Sequence, residues 1–311
     1  ARARLYTLSE APALWAEHVT RWRQINQAQV VELEDGAAPE PAVEWRLYQA
    51  LAGVWPTTLQ PQDASQLEER FIPFVEKALR EAKLRTDWAE SNEAYEKAVL
   101  DYARHLLSPA NQQFLSDFSH ALQPFIQAGL INSLTQTVIK LTAPGVPDIY
   151  QGSEALNFSL VDPDNRLEPD FPALVENLST ADPGVFSDEV RWRDGSVKQY
   201  VTATLLLLRP HYPELFRYGD WLPLKVSGER EENLIVYARV QGDEALIVAV
   251  PRLVFDVSAN EKLWANTLVP VPQELVGKRY RDVFSGESRI LQETLDLTSE
   301  KGCVLVLLTS E

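Results

Sequence analysis

Apolar residues fall at three- and four-residue intervals through the first part of the chain. Leu14, Trp15, Val19, Trp22 and Ile25 mark one such face within Ala13–Ile25, the period of a helix with one buried side. Pro41–Trp55 opens on a proline suited to a first helical turn and stops before Pro56. Leu67–Leu84, Asn92–Leu106 and Pro109–Leu122 keep the same spacing, with Ser108 read as a cap ahead of Pro109. No strand-like alternation shows here, so residues 1–125 are expected to be helical almost throughout.

The middle of the chain changes character. Ile131–Leu141 continues as a helix with Leu134, Val138 and Leu141 on one face, until Pro144-Gly145 stops it. Val146–Tyr150 is a short apolar run ended by Gly152, the length of a buried strand. Gly195–Arg209 reads as a helix again. From about Gly219 the period becomes two. Leu234–Val240 and Ala245–Val250 flank Gln241-Gly242-Asp243-Glu244, a tight hairpin signal. Arg279–Phe284 and Arg289–Leu297 flank Ser285-Gly286-Glu287, and Cys303–Leu308 is a last strand. The fold class is multidomain α plus β: a helical region over 1–125, a strand-loop-helix part over 126–218, and an antiparallel β-sandwich over 219–311. A lone strand flanked by helices is not a domain, so its sheet partners are expected upstream of residue 1.

Composition narrows the function classes. At 311 residues with 45% hydrophobic content, the chain has material for two or three packed units. It holds no apolar run of about 18 residues; Val201–Leu208 is too short and ends at Arg209-Pro210. The formal charge of −16 repels nucleic acid and anionic membranes, whereas a neutral sugar is indifferent to it. A single cysteine, Cys303, argues against a disulfide framework and places the chain in the reducing cytoplasm. No cofactor is expected and, with no His/Cys cluster, no metal ligand is assigned here, while a calcium site in an upstream domain stays open. The chain has no Met, and Ala1-Arg2-Ala3-Arg4 begins without a cap, so a fragment of a longer protein is expected.

Residues 143–166, APGVPDIYQGSEALNFSLVDPDNR, concentrate turn-formers and carboxylates. The piece GVPDIYQGSE resembles the eighth barrel strand of the α-amylase superfamily (family-13 glycoside hydrolases), which ends in Gly-x-Pro-x-x-Tyr-x-Gly-x-Glu. LLLLRPHYPELFRYGDW resembles that superfamily's passage from the final barrel helix to its C-terminal β domain. More narrowly, LTAPGVPDIYQG with FSLVDPDNR is similar to the maltooligosyltrehalose synthases. So are EWRLYQALAGVWP (44–56), KALREAKLRTDWAESNEAYE (77–96) and GKRYRDVFSGE (277–287).

The resemblance implies the C-terminal portion of an enzyme that rearranges the reducing-end α-1,4 linkage of a maltooligosaccharide to α,α-1,1. That chemistry uses a carboxylate nucleophile, a protonated acid/base with a raised pKa, and a third orienting carboxylate. The family's last carboxylate sits in a His-Asp motif shortly before an Arg-Ala-Arg-Leu-like sequence, and this chain starts at Arg2-Ala3-Arg4-Leu5. His18, His105, His120 and His211 precede Val, Leu, Ala and Tyr, so the resemblance assigns no catalytic residue here. The implied partners are a maltooligosaccharide and the missing N-terminal barrel.

In such a barrel the loop after a strand faces the active site, which puts Asp162, Asp164, Asn165 and Arg166 beside sugar hydroxyls. The alternative is a plain Asp-Pro-Asp-Asn turn in which Arg166 only pins Asp162 or Glu154. Tyr150 is read either at the barrel mouth or as a packed core residue. Lys83 and Trp88 form a second candidate subsite, because an indole offers a flat apolar face to a sugar ring; inter-helix packing is the alternative. The family carries Thr-Ser-Trp where this chain has Thr86-Asp87-Trp88. Trp15, Trp22, Trp45, Trp55, Trp192, Trp221 and Trp264 are assigned to core or domain contacts. A non-catalytic α-glucan-binding or scaffolding module is the competing function. Another family-13 enzyme fits less well, since most amylases have a short connection before the last barrel strand.

Overall fold

A computed structural model describes residues 1–162, 164–258, 263–298, 300 and 302–310. The chain divides into two units, Ala1–Ile126 with Asn157–Glu168, and Gln127–Leu156 with Pro169–Glu311. No described helix is long and apolar enough to cross a membrane.

The first unit carries α1 (Arg2–Leu8), α2 (Pro12–Asn26), α3 (Pro41–Val54), α4 (Glu68–Ala82), α5 (Glu93–Leu107) and α6 (Gln112–Ala121). Prolines open α2 and α3 at positions where the missing N–H costs no helical bond. The Asn92 side chain caps α5 by accepting from the Tyr95 N–H at 3.1 Å. The periodic apolar faces meet in an aromatic core: Trp22, with no exposed surface, lies 5.3 Å from Tyr48 and 4.8 Å from Phe118, ring to ring. One carboxylate is buried beside this core. Glu44 accepts from the Tyr102 hydroxyl at 2.6 Å, the Tyr48 hydroxyl at 3.1 Å and Arg23 Nε at 2.8 Å, so the charge is fully engaged.

Two expectations need correction in this unit. A short antiparallel hairpin, β1 (Val31–Leu33) and β2 (Gly36–Ala38), interrupts the helical stretch. Its strands are three residues long, too short for alternation to show in the sequence. The sixth helix starts at Gln112 rather than Pro109; Ser108 to Asn111 form a turn, with the Asn111 N–H bonded to the Ser108 carbonyl.

In the second unit come α7 (Gln123–Thr142), whose residues from Gln127 on belong here, then α8 (Phe171–Ser179), α9 (Glu189–Asp194), α10 (Ser196–His211) and α11 (Pro213–Tyr218). The strands are β3 (Asp220–Pro223), β4 (Ser227–Gly228), β5 (Leu234–Gln241), β6 (Glu244–Pro251), β7 (Thr267–Pro270), β8 (Arg279–Asp282), β9 (Ser288–Ile290), β10 (Thr294–Asp296) and β11 (Leu305–Thr309). They build a six-stranded sheet in the order β3-β5-β6-β11-β8-β9 and a three-stranded sheet in the order β10-β7-β4, antiparallel throughout. Gly242 turns the β5–β6 hairpin at φ +58°, a conformation a side chain would strain. Val236, Ala238, Ile247, Ala249, Leu305 and Leu307 pack with Trp264, Val269 and Leu295 as the core.

The expected strand Val146–Tyr150 is not formed; these residues are irregular, and the Val146 side chain is 97% exposed. A strand needs a neighbour for its ladder, and Pro147 has no N–H to give one. Arg289–Leu297, expected as one strand, divides into β9 and β10 in different sheets. The chain turns between them, where the Leu291 carbonyl accepts from the Gly277 N–H at 2.9 Å.

One buried cation fixes the helix ends of this unit. Arg239 on β5 is 1% exposed, and its guanidinium donates to the carbonyls of Thr142 (3.1 Å), Leu215 (3.1 Å), Phe216 (3.4 Å) and Gly219 (2.9 Å). Those carbonyls close α7 and α11, where helix dipoles concentrate negative charge. Arg239→Met removes this donor, although the Leu215 carbonyl keeps the Gly219 N–H at 3.1 Å, and should destabilise the protein by about 2–4 kcal/mol in urea unfolding. Arg239→Lys should recover only part, because one ammonium cannot reach four carbonyls. A methionine variant as stable as the parent would refute this role.

Candidate functional site

The four candidate residues at 162–166 stand on one turn, and α4 holds that turn from two points. Arg70 grips Asp164 side-on: Nε reaches Oδ1 and Nη2 reaches Oδ2, both at 2.8 Å. The same Nη2 donates to the Phe158 carbonyl at 2.9 Å, and the Leu160 N–H adds a 2.6 Å bond to Asp164 Oδ2. Seven residues further on, Lys77 Nζ reaches the Asp162 carbonyl at 3.0 Å and its Oδ2 at 3.4 Å. Two helical turns separate Arg70 from Lys77, so they share a face of α4. The Asp164 side chain is only 9% exposed.

Arg166 behaves differently. Its Nε pairs with Asp162 Oδ1 at 2.5 Å, while its side chain stays 75% exposed. Asn165 is also exposed. The turn therefore has an inner carboxylate committed to the helix and an outer donor–acceptor pair that solvent reaches. Such a pair can bridge neighbouring hydroxyls, the guanidinium donating and the carboxylate accepting.

Lys83 and Trp88 lie beyond the C-terminal end of α4. Lys83 ends the helix in the left-handed conformation, φ +53°, with an exposed side chain. Trp88 is 60% exposed and Arg80 lies over its ring at 4.9 Å, so it is a surface aromatic with a cation against it. Arg80 itself is held by Glu96 at 2.9 and 2.8 Å. The Asp87 carboxylate accepts from the Ala89 and Glu90 N–H groups at 2.7 and 2.8 Å and shapes the turn that presents Trp88.

Tyr150 belongs to the second unit and is 64% exposed in this chain. Its carbonyl accepts from the Ser153 N–H at 3.0 Å. Lys198 on α10 clamps the next few residues of the chain, donating to the Ser153 carbonyl at 2.6 Å and the Ala155 carbonyl at 2.8 Å. Burial, with Lys140 nearby, pushes the Lys198 amine down to about 8.

Arg70, Lys77 and Lys198 brace these segments; Lys77 opens the piece at 77–96, whereas no sequence motif singles out Arg70 or Lys198. The one available signal is the match between two cations seven apart on a helix and two aspartates two apart in a loop. A separation of 94 residues between Arg70 and Asp164 hides that match from any local pattern.

The Arg70–Asp164 pair titrates in a definable window. Burial pushes the Asp164 carboxyl up, but the Arg70 hydrogen bonds, the Leu160 N–H and the attraction of the guanidinium outweigh it and hold the pKa below the usual carboxylate range. A depressed carboxylate adds stability above its unfolded pKa of about 4 and loses it as pH falls further. Arg70→Gln should therefore cost about 1–3 kcal/mol at pH 7, with the gap to the parent narrowing below about pH 4. Paired unfolding curves at pH 7 and pH 3 check this, and a gap independent of pH would count against the brace.

No family model matches this chain. It is 31% identical over 271 residues to a putative maltooligosyl trehalose synthase of Mycobacterium tuberculosis, covering 87% of this chain and 31% of that protein. Among solved structures, maltooligosyltrehalose synthase from Arthrobacter ramosus matches with a TM-score of 0.78 and 28% identity, over 99% of this chain and 36% of that one. A hypothetical maltooligosyl trehalose synthase from Sulfolobus tokodaii matches with a TM-score of 0.71 and 27% identity, again over 99% and 36%. Along nearly its whole length, then, this chain is similar to proteins named as maltooligosyltrehalose synthases, and it spans about a third of the proteins it matches.

Proposed function

We propose that this chain is the C-terminal portion of an enzyme of the maltooligosyltrehalose synthase type. In this reading 1–125 is a helical insertion, 126–218 is the last part of a (β/α)8 barrel, and 219–311 is the C-terminal β-sandwich domain. The longer protein rearranges the reducing-end α-1,4 linkage of a maltooligosaccharide to α,α-1,1. The carrying observation is the similarity over 99% of this chain to a synthase of which it spans 36%. An unpartnered helix face adds support. Phe171, Val175 and Leu178, at i, i+4 and i+7 on α8, are 45%, 67% and 46% exposed, a stripe of the kind another element covers. The irregular Val146–Tyr150 gains its strand neighbours in the same assembly.

The chemistry assigns the turn a task. The reaction breaks the bond from the glucosyl C1 to O4 of the terminal glucose and makes a new one from C1 to that glucose's anomeric oxygen. The released glucose must stay in the site and reorient while water is kept from C1. Arg166 and Asp162 are placed to grip its hydroxyls, Asn165 borders them, and Asp164 keeps the turn fixed through Arg70. The nucleophile and the acid/base belong to the part of the longer protein outside this chain.

Two experiments test this. The chain alone should leave the reducing ends of maltopentaose at the buffer level, and co-expression with the rest of the longer protein should make them disappear. Consumption of reducing ends by the chain alone, or none by the assembly, overturns the proposal. In that assembly Arg166→Ala should lower kcat/KM by about 10- to 1000-fold, roughly 1.4–4 kcal/mol, with little change in Tm. Normal kinetics with a lowered Tm would instead make Arg166 a brace for Asp162.

A further inference from the structure

The second unit holds a cavity of about 920 Å³ that none of the roles above uses. That volume stands at the upper end of small-molecule sites. Phe186, from the 3₁₀ turn Pro183–Ser187, and Trp192 of α9 form one part of its wall. Asp282 and Phe284, at the end of β8, form another. Phe186 joins the two parts, its ring 6.5 Å from Trp192 and 5.7 Å from Phe284, centre to centre and edge towards face.

The polar groups around this space are rich in acceptors and poor in donors. The Trp192 indole N–H is spent on the Phe186 carbonyl at 2.9 Å, and that of Trp264 on the Gly302 carbonyl. The Ser285 hydroxyl donates to Asp282 Oδ2 at 2.7 Å, and the Phe284 N–H to Oδ1 at 3.1 Å. Glu300, also on the wall, is paired with Arg289. Asp282 is buried, yet no ion pair among the described residues neutralises it. None of the described residues lining the cavity is a lysine or an arginine. Two hydrogen bonds hold the Asp282 carboxylate in place but leave its charge uncompensated, which is costly away from water.

We propose that this cavity binds a small organic ammonium ion, seated against Phe186, Trp192 and Phe284 and neutralised by Asp282. Aromatic faces attract such a cation without needing a donor of their own. The net charge of −16 draws cations to the protein and disfavours anions. A phosphate or carboxylate would meet Asp282 and Glu300 with no basic side chain among the described lining residues to receive it. A sugar calls for donors as well as acceptors, and both indole N–H groups and the Ser285 hydroxyl are committed elsewhere. The described lining lies wholly in the second unit, so the proposal is independent of the role given to the turn at 162–166.

Calorimetric titration of the purified chain at constant ionic strength tests this, with choline as the cation and dimethylbutanol as its uncharged carbon analogue. Choline should bind at least about tenfold more tightly than the alcohol. Asp282→Asn keeps the shape and an acceptor oxygen; it should lower choline affinity at least about tenfold and leave the alcohol unchanged. Trp192→Leu removes one aromatic face and should lower choline affinity by about two- to fivefold. The comparison of choline with the alcohol on the parent, and the Asp282→Asn variant, decide the matter if the leucine variant does not fold. Choline that fails to bind, or binds no better than the alcohol, overturns the proposal. Full choline affinity in Asp282→Asn also overturns it, by placing the cation elsewhere on the acidic surface. Displacement of bound choline by maltotriose would make the cavity a sugar site and sink the ammonium reading.

Discussion

The ends of α3, α7 and α11 close on guanidinium groups, of which Arg4 and Arg239 are buried, and the segments that leave those ends start from fixed points. A buried cation is costly unless its surroundings replace the water it loses. The last carbonyls of a helix do so, since they point along the axis, lack partners, and carry the negative end of the helix dipole. Arg239 serves α7 and α11 at once from a strand of the main sheet. Arg209 adds the carbonyls of Leu141 (2.9 Å) and Gly145 (3.1 Å). The segment that leaves α7 therefore departs from a fixed point, and Lys198 catches it again at Ser153 and Ala155. In the first unit Arg4 does the same for α3, donating to Ala52 and Trp55 at 2.8 and 2.6 Å, with Phe158 stacked 4.9 Å from its guanidinium.

At the turn, the same need is met by opposite charges, and the two pairs there divide the work by burial. Arg70 and Asp164 are shielded, hydrogen-bonded at both oxygens, and suited to holding a position. Arg166 is largely exposed and Asp162 about half so, where an ion pair contributes little to stability. A pair that stabilises little can be reorganised by a ligand at little cost. Lys77 joins the two, because it fixes the main chain of Asp162 without consuming all of its carboxylate. The gradient from inner brace to outer pair is the physical basis for assigning positioning to Asp164 and contact to Arg166.

The hydrophobic period made most helices and the β5–β6 hairpin legible. Trp15, Val19 and Trp22 are buried where the spacing put them, and Gly242 sits at the turn its neighbours required. Val146–Tyr150 and Arg289–Leu297 were not legible for one shared reason. Apolar runs report which residues avoid water, whereas a strand also needs a neighbour at about 4.8 Å spacing, which no local pattern specifies. The hairpin at residues 31–38 failed in the other direction, being too short to show a period.

The amino-acid sequence by itself determined the kinds of element, the chemical inventory of residues 157–168, and the family resemblance carried by its motifs. Tertiary structure alone decided which of those charges are spent internally. Asp162 and Asp164 are indistinguishable as residue types two positions apart, yet one faces solvent beside Arg166 and the other is locked to Arg70. Hydrogen bonds and ion pairs act over about 3 Å. Which partners come within that reach across 94 residues of chain depends on how α4 packs, not on the local sequence of either partner.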